Sequence, residues 1–323
     1  MVEHVERLPV SASTGTPDQG RLRWYRLGEG TLGLQSVDRA LSERFETIYG
    51  DCAVAAPGPG PQVVCHVGAP EAGRVRIRFD DPEPLDEARF VESMFPGRGG
   101  DFTPGGELHA PADSEWRGLV ANLAVSRLLR LQREIIFFHA ASVRVGDRGL
   151  MACGPKRSGK TTLALGLAAR GHRLLGDEVA ALHVADRALV PFRRSLAARA
   201  GPRSAAAEAL LDRSAGAVET FPDGEQRARV AMREVSPAAP PARTPLTTVV
   251  LLRSIVRTTQ VRPCAARREL LGALTPLAAS LWDRPPGAIA FHLLGMLSAV
   301  RVFEIDAGPP DEVVERIERL MEE

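Results

Sequence analysis

The sequence of 323 residues predicts a mixed α/β protein, with a substantially parallel or mixed sheet flanked by helices. Short apolar stretches with strand character alternate with stretches whose apolar residues recur at helical spacing. One apolar strand, Leu150–Cys153, leads directly into a glycine-rich loop that a helical pattern follows. The length exceeds what a single domain usually needs, so two domains are expected.

Composition excludes several classes of protein. Hydrophobic residues make up 44% and charged residues 25%, which is typical of a globular protein, and the formal charge of +1 favours neither nucleic acid nor an anionic membrane as a partner. The sequence contains no apolar run of roughly 18 residues and no secretory signal at its N-terminus, so we expect a cytoplasmic protein. Its four cysteines are not spaced as a zinc or redox motif and are expected to be reduced and packed.

Residues 1–110 are predicted to form a smaller α+β domain in which residues 1–20 are flexible. The predicted elements are a helix from Val37 to Ile48 that ends near Gly50, strands at Gln62–Val67 and Arg74–Phe79, and a Gly/Pro-rich loop or linker at Pro96–Pro111. Its role is either substrate docking or packing against the second domain.

Residues 111–323 carry the alternating strand and helix patterns. The predicted helices are Trp116–Arg133, Thr161–Arg170, Glu269–Trp282 and Pro310–Met321. The predicted strands are Glu134–Val145, Leu150–Cys153, Arg173–Leu175, Thr247–Leu252 and Ala299–Ile305, and Ser236–Pro245 is predicted to be a flexible surface loop.

The glycine-rich loop fits the phosphate-binding pattern G-x-x-x-x-G-K-[ST] without a gap. Its sequence is Gly-Pro-Lys-Arg-Ser-Gly-Lys-Thr, residues 154–161. Glycines let successive backbone N–H groups turn towards an anion, and the N-terminus of the following helix favours phosphate at the same point. Lys160 is expected to reach the β- and γ-phosphates, and the Thr161 hydroxyl to bind Mg²⁺. The candidate nucleotide-binding residues are Gly154, Lys156, Ser158, Gly159, Lys160, Thr161 and Thr162.

Lysine usage supports this assignment. Lys156 and Lys160 are the two lysines in the sequence, while the other 39 basic residues are arginine. A position that keeps lysine in such a sequence is expected to need a compact ammonium group. Lys156 itself could contact phosphate or could be a solvated charge.

Two further features are candidates for chemistry. Asp177 and Glu178 follow a short strand that we expect beside the strand of the loop, where carboxylates could bind the metal or accept a proton from a hydroxyl. The alternative is a helix cap or a solvated turn. His139, in the middle of the predicted strand Glu134–Val145, could be functional or a core histidine whose hydrogen bonds are satisfied.

Three segments resemble the catalytic core of HPr kinase/phosphorylase. They are Phe138–Val143, Gly154–Thr162 and Ala168–Glu178, and they look still more like the HPr-kinase-related proteins that include kinases of lasso peptide precursors. The resemblance is strongest over residues 135–185. It implies a P-loop kinase fold, ATP as phosphoryl donor, Mg²⁺, and transfer of the γ-phosphoryl group to a hydroxyl, usually of serine. The loop motif itself does not distinguish ATP from GTP.

By position, the resemblance assigns roles to individual residues. Lys160 and Thr161 would take the phosphate and Mg²⁺ roles, and Asp177 would be the general base and a metal ligand. Glu178 stands where the family has a second Asp and would also bind the metal. His139 matches the histidine ahead of the loop, and Arg243 could match a late catalytic arginine or be a solvated one.

The sequence also departs from the family. The segment Ala200–Arg203 lies where HPr kinases carry the signature Glu-Ile-Arg-Gly-Leu-Gly, so recognition of HPr itself is not expected. The expected acceptor is a Ser or Thr of a peptide or protein, such as a ribosomally made natural-product precursor. A kinase of a small alcohol or free amino acid, and a nucleotide-binding regulatory protein with little transfer activity, are the alternatives. HPr kinases are oligomers, which makes a homo-oligomer one option.

Overall fold

The computed structural model describes residues 20–80, 102–103, 107–113, 116–214, 217–220, 224–264, 267–279 and 285–323. These parts of the chain form three sheets, two of which contain parallel strands, and helices accompany them, which confirms the predicted mixed α/β class. The predicted flexible segment lies outside the described residues except for Gly20, and so do residues 96–101 and 104–106 of the predicted linker.

The described helices are α1 (Arg39–Tyr49), α2 (Trp116–Leu131), α3 (Lys160–Ala169), α4 (Ala205–Arg213), α5 (Met232–Val235), α6 (Arg267–Ala279), α7 (Pro286–Leu297) and α8 (Pro310–Glu322). The described strands are β1 (Leu22–Leu27), β2 (Gly30–Ser36), β3 (Ala53–Val54), β4 (Gln62–Val67), β5 (Arg74–Asp80), β6 (Phe102–Thr103), β7 (Glu107–Pro111), β8 (Ile135–Phe138), β9 (Ala141–Val145), β10 (Arg148–Cys153), β11 (Arg173–Gly176), β12 (Ala180–His183), β13 (Ala188–Val190), β14 (Leu196–Arg199), β15 (Ala217–Thr220), β16 (Gln226–Val230), β17 (Thr244–Ile255), β18 (Gln260–Pro263) and β19 (Arg301–Ala307).

The N-terminal sheet has the strand order β3-β1-β2-β4-β5-β7-β6. Asp38 caps the N-terminus of helix α1, where its carboxylate accepts a hydrogen bond from the Leu41 backbone N–H at 2.6 Å. The helix buries Leu41, Phe45 and Ile48 on one face. The predicted helix and both predicted strands of this region are therefore confirmed. The predicted linker is wrong at its C-terminal end, because residues 107–111 form β7 and pair antiparallel with β5.

Helix α2 packs on this N-terminal sheet. Its buried residues, among them Leu119, Leu123 and Leu128, belong to one apolar cluster with β1, β2, β4 and α1. That cluster continues into Phe137 and Phe192 of the second half of the chain. The division of the chain at residue 110 stays a prediction.

The central sheet is built around the glycine-rich loop. Its strand order is β11-β9-β10-β17-β13-β12-β8, and β19 pairs with β17 and β18. Strand β10, which leads into the loop, is parallel to β17, and β17 is parallel to β19. Helices α3 and α8 contribute to the apolar cluster on one face, and α6 and α7 to the cluster that contains the opposite side chains of β10 and β17. A small sheet, β14-β16-β15, joins the α3 side.

Strand β11, which leads to Asp177, does not lie beside β10. Strand β9 lies between them and is antiparallel to both. The expected adjacency is therefore wrong, but β10 and β11 run in the same direction. Because parallel strands end at the same edge of a sheet, the residues after β10 and after β11 still emerge together.

The predicted strand Glu134–Val145 is two strands. It is interrupted at His139 and Ala140, where the Ala140 backbone N–H donates to the Phe138 carbonyl at 2.9 Å. The first half, β8, pairs with β12, and the second half, β9, pairs with β10 and β11. The apolar sequence runs on without a break, so it does not reveal that β8 and β9 pair with different strands.

The other predicted helices and strands are present with shifted ends. The predicted loop Ser236–Pro245 is wrong at its end, because β17 begins at Thr244, which is buried. Strands β1–β3, β12–β16 and β18 and helices α4 and α5 had no counterpart in the predictions. The predicted helix Glu269–Trp282 is described as Arg267–Ala279, and its end at Trp282 lies outside the described residues. Helix α7 was not predicted. Among the described helices, none has both the length and the apolar character that are needed to cross a bilayer. The four cysteines form no disulfide, and three of them are buried.

Gln132 provides a test of the packing between α2 and the N-terminal sheet. Its buried amide accepts hydrogen bonds from the backbone N–H groups of Glu29 and Gly30, at 2.9 and 3.1 Å, and donates to the Leu27 carbonyl at 3.0 Å. Gln132→Met keeps the volume but leaves these groups unsatisfied, so we expect the free energy of unfolding to fall by about 2–4 kcal/mol. Urea unfolding measures this free energy. An equal decrease in the control Gln62→Met, at an exposed position, would contradict the role given to the Gln132 hydrogen bonds.

Candidate active site

The glycine-rich loop joins β10 to α3. A Cβ atom at Gly154 would lie 2.5 Å from the Ser158 hydroxyl and 2.7 Å from the Leu252 carbonyl oxygen, so the position has no room for a side chain. Helix α3 begins at Lys160, and Gly159 caps it without a side-chain hydrogen bond. The first N–H groups of α3 are therefore not satisfied by a capping side chain and point to the loop, as they do in phosphate-binding loops.

Lys160 is folded back into this loop. Its ammonium group donates to the carbonyl oxygens of Gly154 and Pro155, at 2.8 and 2.9 Å. The side chain is buried, and burial lowers the pKa of Lys160, against the opposing effect of the Asp177 carboxylate. A lysine held in this way is directed at the space that the loop encloses.

Thr161 and Asp177 are in direct contact. The Thr161 hydroxyl donates to the Asp177 carboxylate, with distances of 3.0 Å to Oδ2 and 3.3 Å to Oδ1. Asp177 is 1% exposed. Burial, and then the neighbouring negative charge of Glu178, raise its pKa to about 6, although the hydrogen bond from Thr161 acts in the opposite direction.

The acid pair lies on a tight turn after β11. A Cβ atom at Gly176 would lie 2.3 Å from the Val179 carbonyl oxygen, so only glycine fits the close approach of the chain. Glu178 has a φ of 63°, in the left-handed region that residues other than glycine rarely adopt. Such backbone strain is common at functional sites.

The Glu178 carboxylate faces an arginine that sequence analysis did not identify. Oε2 of Glu178 lies 3.3 Å from Nη2 of Arg194. Burial alone would raise the pKa of Glu178, but the positive charges of Arg194 and Arg229 lower it below its ordinary value. Glu178 is thus held as an anion next to Asp177.

His139 belongs to the same group of residues. It is half-buried, and its backbone N–H donates to the Leu277 carbonyl of α6 at 3.2 Å. Burial lowers its pKa, and so does the positive charge of Lys160, while Glu178 acts in the opposite direction. The structure therefore brings His139 close to Lys160 and Glu178.

The other predicted loop residues differ in their surroundings. The Ser158 hydroxyl is buried and has no hydrogen-bond partner among the described residues. Lys156 is exposed, and Thr162 is half-buried on the first turn of α3. Arg157, which follows Lys156 in the loop, forms an ion pair with Glu225. Glu225 also contacts Arg199 of the small sheet.

Arginines of the small sheet border the site. Arg199 and Arg227 occupy facing positions on β14 and β16 and both contact Glu225. The charge of Arg199 acts on the pKa of Lys160, and the charge of Arg227 acts on the pKa of Glu178. For the arginines of β16 the available signal was the alternation Arg-Ala-Arg at residues 227–229, which places Arg227 and Arg229 on one face of the strand.

Arg243 does not belong to this site. It precedes β17, whereas the loop follows β10 at the level of Leu251, about 25 Å farther along the strand. Its guanidinium pairs instead with Glu29 and Asp186. The catalytic position expected for Arg243 is corrected: it was inferred from order along the chain, and the direction of β17 carries it to the opposite edge of the sheet.

A cavity of about 850 Å³ lies beside Arg243, between the N-terminal sheet and residues 233–243. Its lining includes Arg26 and Arg193 but no residue of the glycine-rich loop or the acid pair. The candidate active site is instead assigned to the loop and the acid pair, where the N-terminus of α3, a buried lysine and paired carboxylates converge.

The donors present fit a nucleotide with its divalent cation. The unsatisfied Ser158 hydroxyl and the buried Lys160 ammonium are partners for phosphate oxygens. Thr161 and Asp177 supply the oxygen ligands that Mg²⁺ prefers. Glu178, the third predicted metal ligand, is held by Arg194.

No protein-family model matches the chain, and no curated protein matches it. Among solved structures, the HPr(Ser) kinase/phosphatase from Coxiella burnetii is similar, with a TM-score of 0.30 and 15% sequence identity. The matched region covers 58% of this chain and 88% of that one. A TM-score this low establishes neither a shared fold nor a shared activity.

The buried carboxylate of Asp177 has a consequence for stability. Its pKa of about 6 exceeds the value of an unfolded Asp, so ionisation opposes folding above pH 6, and the effect disappears below about pH 4. Asp177→Asn keeps an acceptor for Thr161 and removes the charge. We expect its Tm to exceed that of the wild type by about 5 °C at pH 8, and by progressively less between pH 6 and pH 4. Calorimetry across this range measures it; a gain that is independent of pH would contradict the assignment.

Proposed function

We propose that the protein is a phosphotransferase that moves the γ-phosphoryl group of ATP to a Ser or Thr hydroxyl of a peptide or protein. The observation that carries the proposal is the hydrogen bond between Thr161 and Asp177, at 3.0 Å. It joins the end of a phosphate-binding loop to a buried carboxylate. A carboxylate next to the loop threonine could hold Mg²⁺ on the phosphates or accept a proton from an acceptor hydroxyl.

The loop positions the donor. The backbone N–H groups of residues 154–161 and the start of α3 hold phosphate oxygens, and the Lys160 ammonium contacts those that carry the developing charge. Lys160 releases the carbonyl oxygens of Gly154 and Pro155 as it does so. Bound at Thr161 and Asp177, Mg²⁺ would neutralise charge on the β- and γ-phosphates.

Asp177 accepts the proton of the acceptor hydroxyl. Its pKa of about 6 belongs to the site without a cation, where the carboxylate is mostly ionised at neutral pH and can accept a proton. A cation bound at Thr161 and Asp177 would lower this pKa. The transferred group passes from the terminal phosphate to the acceptor oxygen, the proton of that oxygen passes to Asp177, and ADP leaves. His139 lies beside this pair and is kept neutral by burial and by Lys160.

The proposal also specifies the acceptor, which is a peptide or protein. Its support is the resemblance of residues 138–178 to HPr-kinase-related proteins that modify peptides, and a ribosomally made natural-product precursor is the specific acceptor proposed. The near-neutral formal charge of +1 gives no reason to expect a nucleic acid.

Transfer should depend on Lys160. With ATP labelled at the γ-phosphate, Mg²⁺ and a size-fractionated lysate of the source organism, we expect the wild type to label a peptide or protein fraction. Lys160→Ala should reduce labelling by about 10³-fold, because it removes the cation on the transferring group. The control Arg170→Ala alters the far end of α3 and should label normally.

Other outcomes of the labelling experiment have distinct meanings. Label in the small-metabolite fraction would replace the proposed acceptor with a small alcohol or amino acid. Tight binding of ATP with no labelled product would contradict the phosphotransferase proposal and favour a regulatory nucleotide-binding protein.

Asp177 should separate binding from transfer. Asp177→Asn removes the base but keeps the hydrogen-bond acceptor for Thr161, so we expect the affinity for ATP to change by less than about 10-fold and transfer to fall by at least about 10²-fold. Fluorescent-nucleotide titration and the labelling assay measure the two quantities. Asp147→Asn, at an exposed turn, is the matched control. Full activity of Asp177→Asn would show that another group is the base.

A further inference from the structure

The segment Arg193–Ser195 connects the acid pair to the N-terminal region. It follows Phe192, which forms a parallel bridge with Gly176 at the start of the acid-pair turn. The Phe192 backbone N–H donates to the Leu175 carbonyl at 2.7 Å. The segment therefore leaves the central sheet directly beside Asp177 and Glu178.

Arg194 is the side chain of this segment that turns to the acids. Its guanidinium lies 3.3 Å from the Glu178 carboxylate, and its Nε is buried without a hydrogen-bond partner among the described residues. The other side of the guanidinium faces the ring of Tyr49 in α1, 5.9 Å from the ring centre. Arg194 thus stands between the N-terminal helix and the second acid of the pair.

The N-terminal region holds the same segment by its backbone. The Ser195 backbone N–H donates to the Ile48 carbonyl, near the end of α1, at 2.7 Å. The Arg193 backbone interacts with the Cys52 thiol in the turn that follows α1. Asp51, in the same turn, pairs with Arg233 at the start of α5. These contacts come from one continuous stretch, residues 48–52.

We propose that the N-terminal region is a working part of the active site, because α1 and the turn after it hold Arg194, and Arg194 positions the Glu178 carboxylate beside Asp177. Arg194 is a positioning residue, since it acts through Glu178. The proposal rests on the phosphotransferase function proposed above and gives residues 48–52 a role in it other than substrate docking. It predicts that disturbing Arg194 lowers the rate of transfer more than the affinity for ATP.

The first experiment tests the ion pair without any use of activity. Unfolding midpoints are compared for Arg194→Met, Glu178→Gln and the double variant at one pH. Arg194→Met leaves a buried carboxylate without its counter-ion, and the double variant removes that charge as well. We therefore expect the double variant to be more stable than Arg194→Met alone.

The matched control uses the neighbouring arginine. The Arg193 side chain donates to backbone carbonyl groups, including that of Ser236 at 2.6 Å, and has no contact with the acid pair among the described residues. Arg193→Met combined with Glu178→Gln should therefore be additive. Additive losses for Arg194→Met and Glu178→Gln would overturn the proposal.

The second experiment tests the effect on the reaction with ATP, Mg²⁺ and water as acceptor. We expect Arg194→Met and Tyr49→Leu to lower kcat, the former by at least about 10-fold, while the KM for ATP changes by less than about threefold. Arg194→Lys keeps the charge and should recover part of the loss. An unchanged kcat in Arg194→Met would overturn the positioning role.

The two proposals can fail separately. If Lys160→Ala abolishes ATP turnover but Arg194→Met does not lower it, the phosphotransferase function stands and the positioning role of Arg194 is wrong. If Lys160→Ala leaves turnover unchanged, the phosphotransferase function is wrong, and the unfolding comparison alone decides whether Arg194 holds Glu178.

Discussion

The hydrogen bond from the Thr161 hydroxyl to the Asp177 carboxylate joins the two halves of the candidate active site. It exists because β10 and β11 are both antiparallel to the strand between them, so the residues after each strand emerge at the same edge of the sheet. Strand β9 lies between β10 and β11, about 5 Å from each of them. The loop and the acid pair can meet only above that edge.

Burial gives these residues properties that the same residues would lack in water. The carboxylate of Asp177 has a raised pKa, whereas that of Glu178 is lowered by the arginines that face it. Two adjacent acids on one turn therefore have different protonation behaviour and can take different roles. Burial dominates at Asp177, whereas at Glu178 the positive charges of Arg194 and Arg229 outweigh it. The contacts of residues 48–52 hold the Arg194 segment in place. Arg194 is thus one of the contacts that connect the N-terminal part of the chain to the acid pair.

The sequence was most informative where a short stretch determines its own structure. The eight residues of the loop, the strand before it and the helix after it are confirmed almost to the residue, because glycine positions and helical periodicity act locally. The predictions that were wrong involve partners that are distant in sequence. They are the supposed neighbour of β10, the continuity of the strand through His139, and the position of Arg243. Residues 107–111 were also predicted incorrectly, because a Gly/Pro-rich neighbourhood concealed a strand that β5 completes.

The sequence by itself determined the glycine-rich loop between a strand and a helix, the presence of an acid pair after a strand, and the mixed α/β class. Each depends on residue type at fixed spacing, which the chain carries locally. Only the tertiary structure decided that Thr161 contacts Asp177, that Glu178 faces Arg194, and that Arg243 lies at the opposite edge of the sheet. Those arrangements depend on which strands pair and in which direction. That choice is made by burial of apolar surface over the whole chain, which no local pattern encodes.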